Sequence, residues 1–135
     1  MKLKNKYLFF NVNNIHQATE TILICRKNKI LPIFCIKYYI IYGFGSDWIK
    51  EFRNLLHKKF NKKDFKILID CKNNYGLFIN LIQQKIDFLQ IRADLKTLFR
   101  LRNIAKKNKV TVNPKISIIN LSNIKNIKSK IQKNL

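Results

Sequence analysis

Short apolar runs alternate along this chain with stretches in which apolar residues recur every three or four positions. The first run, at residues 6–12, predicts a strand that ends at the polar pair Asn13 and Asn14. Ile15, Ala18, Ile22 and Cys25 then follow at helical spacing. Residues 30–36 are almost wholly apolar, as expected of a strand covered on both faces. An apolar loop with two glycines leads to Ser46, a natural N-cap, and to a helix with Trp48, Phe52, Leu55 and Leu56 as its buried stripe. Residues 65–70 form the clearest strand and end in the carboxylate of Asp70. A helix from Gly76 to Gln84, apolar nearly all round, precedes a fourth strand at 86–91. Asp94 caps a helix with Leu95, Leu98, Leu101 and Ala105 inside and Lys96, Arg100, Asn103 and Lys107 outside. Residues 110–112 and 116–121 together predict a fifth strand, interrupted at Pro114, and Ile124, Ile127, Ile131 and Leu135 mark a last amphipathic helix.

Strands alternating with helices predict an α/β fold: a single domain over residues 1–135, with a mostly parallel sheet of about five strands. Helices on both faces, in the flavodoxin-like manner, are the first expectation. An incomplete βα-barrel accommodates the same units. In either arrangement residues 65–70 belong in the sheet interior, parallel to the strands at 6–12, 30–36 and 86–91. No linker, low-complexity block or repeat interrupts the pattern. Residues 30–46 carry Lys37, Pro32 and two glycines and are short for a bilayer crossing, so no membrane span is expected. The basic start lacks a small-residue cleavage site, so no signal peptide is read and the cytoplasm is the expected location.

Charge changes the picture without settling it. The formal net charge is +21, which draws polyanions such as RNA. Lys, Asn and Ile are also heavily used while Gly, Ala, Pro and Val are scarce, as in proteins from A/T-rich genomes. Lysine outnumbers arginine, the better residue for bidentate phosphate contacts, so codon bias is the simpler account. Cys25, Cys35 and Cys71 form no C-x-x-C pair and lie far in sequence from His16 and His57. Zinc and a disulfide framework are therefore not expected, and the cysteines read as small buried hydrophobes.

From Trp48 through Lys109 the chain resembles a family of small uncharacterised alphaproteobacterial proteins. The resemblance rests on Trp48 at a helix start, Asp70-Cys71 at a strand end, the turn into Gly76 and Leu77, the Lys85-Ile86 junction, and the helix from Asp94 to Lys107. Tyr75 stands where that family has proline, and Lys85 where it has glycine. The resemblance implies a shared fold and a bacterial cytoplasmic setting. It carries no activity.

The glycines point to a candidate site. Gly43, Gly45 and Gly76 all fall where a strand-like run gives way to a helix, and in parallel α/β sheets such loops share the ligand-binding edge. Gly43, Gly45 and Ser46 could hold an anion on backbone N–H groups, although the loop is neither a Walker A loop nor a dinucleotide fingerprint. Asp70 is the best carboxylate candidate, with turn capping as its structural alternative. Asn73, Asn74 and Gly76 follow it, Arg92 sits at the next strand end, and Lys72 and Arg92 favour an anionic ligand. Cys71 lacks a neighbouring base for nucleophilic work. No metal or cofactor is called for. The leading expectation is a domain that binds a small anionic ligand at the C-terminal edge of the sheet without known catalysis. The alternative is an RNA- or ribosome-associated basic protein. An enzyme using Asp70 with Lys72 or Arg92 is the weakest of the three.

Overall fold

The computed structural model describes residues 6–12, 14–45 and 47–120. Six strands form one all-parallel sheet: β1 (Lys6–Asn11), β2 (Ile30–Ile36), β3 (Lys66–Asp70), β4 (Phe88–Gln90), β5 (Thr111–Val112) and β6 (Ile118–Asn120). Between them lie α1 (Ile15–Lys27), α2 (Tyr38–Phe44), α3 (Asp47–His57), α4 (Tyr75–Gln83) and α5 (Leu95–Lys107). The α/β class and the parallel sheet are as the sequence predicts, with β3 in the interior and six strands instead of five. The run expected as one interrupted strand divides: β5 lies at one edge of the sheet and β6 at the other, in the order β5-β4-β3-β2-β1-β6. The expected helix at 124–135, like Ser46, lies outside the described residues.

The five helices of the described residues lie together on one face of the sheet. From β1 to β5 each strand is laid beside its predecessor in one direction, and right-handed crossovers in a constant direction keep every helix on the same side. The packing agrees. Phe10, Phe34 and Ile67 share a register row, as do Ile36, Ile69 and Leu89, and these pack in one core with the buried residues of all five helices. The opposite face carries a smaller cluster of Ile33, Cys35 and Leu68, covered by Phe9, Phe88 and Ile116, and among the described residues no helical residue joins it. Within the predicted class, the winding is that of an incomplete βα-barrel.

The sheet is curled. Phe9 of β1 meets Phe88 of β4 edge to face at 6.3 Å between ring centroids. Two strands lie between them, so on a flat sheet their backbones would stand about 14 Å apart, beyond the reach of two rings pointing straight up. The chain also has only residues 113–117 to pass from one edge to the other. A flat six-stranded sheet would put its edges about 24 Å apart, while the chain from Val112 to Ile118 reaches roughly 22 Å at full stretch. The sheet closes part of a barrel, and Ile116 of that short strap packs into its hollow.

Local chemistry sets the element ends. Asn14, Asn74 and Asp94 cap α1, α4 and α5 by accepting from the N–H groups of Gln17, Leu77 and Thr97. The segment expected as a glycine loop is helical: Gly43 lies inside α2, and Gly45 (φ 84) ends it, its N–H donating to Ile41. In α3 the buried stripe is Ile49, Phe52 and Leu56, while Leu55 is exposed. Trp48 is only half-buried and stacks on Phe52 at 5.1 Å. Leu95, expected inside, is 88% exposed at the first position of α5, ahead of the inward-facing Leu98, Leu101 and Ala105.

Candidate functional site

All six strands point the same way, so their C-terminal ends meet at one rim of the hollow. Each apolar run gives way there to a polar residue. Asn11 ends β1, Lys37 follows β2, Asp70 ends β3, Gln90 ends β4, and Asn113 follows β5. Within this rim opens a cavity of about 370 Å³. Its apolar lining is Cys35 and Leu68 of that cluster together with Ile118, and Tyr38 and Tyr39 at the start of α2 form one wall. Asn11, Lys37, Asp70, Lys72 and Gln90 supply its polar groups. A second chamber of about 230 Å³ adjoins it, bounded by Arg92, Asn113 and Pro114, with Asp70 and Gln90 common to both.

The turn after β3 is tightly held. One Asp70 carboxylate oxygen accepts the Lys72 N–H at 2.9 Å, and the other lies 3.5 Å from the Lys72 ammonium. Lys72 adopts φ 52, a left-handed conformation that folds its own N–H and side chain back onto Asp70. The Cys71 N–H donates to the Gln90 carbonyl at 2.8 Å and the Arg92 N–H to the Lys72 carbonyl at 2.6 Å, tying the β3 turn to the end of β4. Asn113, also left-handed at φ 50, pairs its side-chain amide with both the N–H and the carbonyl of Ile91, at 2.8 and 3.1 Å. It thereby extends the β4 edge where β5 is too short to do so.

The electrostatics favour an anion. Asp70 is offset by Lys72, whereas Lys37 and Arg92, both exposed, have no ion pair or hydrogen bond among the described residues. The side-chain amides of Asn11 and Gln90 are likewise unpaired there. Burial pushes the thiols of Cys25, Cys35 and Cys71 up to about 12, and Asp70 adds to the effect on Cys71. These thiols are neutral at ordinary pH and unsuited to nucleophilic attack. Among the described residues no three His, Cys, Asp or Glu side chains gather as a metal would require.

Of the residues singled out in the sequence, Asp70, Lys72 and Arg92 line these chambers. Asn74 lies on the outer side of α2, where its oxygen caps α4 and its amide donates to the Tyr38 hydroxyl at 3.3 Å. Asn73 is exposed in the turn. Gly76 sits in the first turn of α4, where an added Cβ would make only an ordinary contact with Asn74, so no close approach requires glycine. Gly43 and Gly45 are exposed on α2 and line neither chamber. Asn11, Lys37, Gln90 and Asn113 were missed, although a polar residue closing each apolar run was a readable signal. Among the described residues no helix is long and apolar enough to cross a membrane. No protein family, curated protein or solved structure matches the chain.

Proposed function

We propose that this protein is a cytoplasmic small-molecule-binding domain that holds an anionic ligand in the rim cavity. The observation that carries the reading is the charge arrangement around the rim: Asp70 is compensated by Lys72, while Lys37 and Arg92 stand free among the described residues on either side of the pair. A cavity of about 370 Å³ falls in the usual size range for small-ligand sites. Three buried free thiols support a reducing compartment. A titration with inorganic phosphate followed by amide NMR tests the reading. Shifts confined to the rim, and lost in K37Q/R92Q, are the expected result. Shifts spread evenly over the basic surface would reject it.

A second reading, RNA binding, has its own observation. Tyr39, Tyr42 and Phe44 are 62%, 78% and 72% exposed on α2, and exposed aromatic side chains on a chain of charge +21 can serve as stacking platforms for single-stranded bases. Lys96, Arg100, Arg102 and Lys107 are exposed on α5. Binding driven by charge alone weakens steeply as salt rises. RNA binding that persists at physiological salt and is lost in Y39A/Y42A would favour this reading over the first.

A further inference from the structure

Phe9 and Phe88 touch across the hollow of the curled sheet. Side chains two residues further along a strand project from the same face, so Asn11 stands next above Phe9 and Gln90 next above Phe88. The two amides therefore border one gap, which Leu68 and the neutral Cys35 thiol also line. Each amide offers a donor and an acceptor, and neither has a hydrogen-bond partner among the described residues. Gln90 also bounds the second chamber, where Arg92 lies. An apolar slot with paired donor-acceptor walls suits a flat ring with polar edges, and a free guanidinium next to it suits a single anionic group.

We infer that the ligand is a heteroaromatic ring joined to one anionic group, with the ring between Asn11 and Gln90 and the anion beside Arg92. The inference rests on the anion-binding reading of the rim and adds the chemistry of the rest of the molecule. Asp70, paired with Lys72, forms the shared wall that the link between ring and anion must pass. Ring and anion then occupy different chambers, and their contributions to affinity are separable by mutation.

The test uses uridine 5′-monophosphate, uridine and inorganic phosphate as probes, titrated into the full chain and followed by amide NMR. The nucleotide is expected to bind about tenfold or more tightly than uridine, the effect of one charge-assisted contact. R92Q should reduce the nucleotide to the affinity of uridine and leave uridine unchanged. N11A/Q90A should weaken both nucleoside probes and leave phosphate unchanged. K96Q/R100Q, on the outer helix, controls for general charge and should leave the nucleotide-to-uridine ratio intact. Thermal unfolding of each variant confirms that it folds. If phosphate shifts the rim but uridine does not bind and the nucleotide is no tighter than phosphate, the ring assignment is overturned and the anion reading stands. If uridine and the nucleotide bind equally and phosphate shifts nothing at the rim, both fail.

Discussion

Lys29, Lys85 and Lys109 each hold a left-handed backbone, at φ 57, 57 and 60, between a helix and the next strand. At the last two, the following residue donates back to the helix, Ile86 to Leu81 and Val110 to Ala105, which is the Schellman closure that glycine ordinarily makes. The lysine at position 85 thus adopts a geometry for which glycine is the usual residue. A side chain in this region costs about 1–2 kcal/mol, and glycine returns part of that through its greater freedom in the unfolded chain. Lys85→Gly should therefore stabilise the fold by roughly 0.5–1 kcal/mol, read as a higher urea midpoint; an unchanged or lower midpoint would refute the strain. The buried thiols act in the opposite pH direction from most carboxylates. Cys25, Cys35 and Cys71 ionise near 9.0 when unfolded but only at about 12 when folded, so the folded state retains their protons. Their contribution is complete below pH 9.0 and is lost as pH rises toward 12. Urea midpoints should fall less steeply between pH 8 and 10 in Cys25→Ala than in the parent chain.

Helix α3 shows how a sequence stripe can be right in kind and displaced by one position. Ile49 is fully buried and Trp48 lies at the margin, stacked on Phe52. Ile49→Ala should cost about 2–5 kcal/mol, the range for a core aliphatic, and Trp48→Ala less than Ile49→Ala; the reverse order in chemical denaturation would contradict the packing. The apolar runs of β1, β2 and β3 were legible because each is compact and closed by polar residues. Helix α2 was not, because Tyr38–Phe44 has no polar face to set a helical period. The separation of β5 from β6 was also hidden, since which partner a short strand selects depends on residues far away in sequence. Asp70 and Arg92 could be placed at the C-terminal rim of the sheet by their strand-end positions. Bringing Asn11 opposite Gln90 required the curl, which no local pattern encodes.

For the whole molecule, the sequential winding explains why the two faces differ so much. Among the described residues, one face packs against five helices and forms the main core, while the other holds a few apolar side chains and opens at the rim into the two chambers. Wider opening of the curl would separate Phe9 from Phe88 and move Asn11 away from Gln90. Phe88→Ala should therefore weaken binding of uridine 5′-monophosphate at least fivefold (on the order of 1 kcal/mol) even though Phe88 bears no polar group. Calorimetric titration of that variant at unchanged fold checks this, and full affinity would mean that the ring pair does not set the slot width.

The strap from β5 to β6 has a kinetic consequence. Strands β1 to β5 each pair with a neighbour close in sequence, so their contacts form without closing a long loop. Among the described residues β6 pairs only with β1, from the far end of the described chain, and is three residues long. Such a contact brings most of the entropy cost of loop closure with little reward until the other strands are in place. β6 should dock last and leave first. In native-state hydrogen exchange, its amides are expected to open at lower free energy than those of β2 and β3, by a partial detachment that leaves the five remaining strands intact. Ile118 in the apolar lining of the cavity would be uncovered by the same event. Ligand that contacts this lining should then slow exchange in Ile118–Asn120 more than anywhere else in the sheet, linking occupancy of the cavity to retention of the last strand.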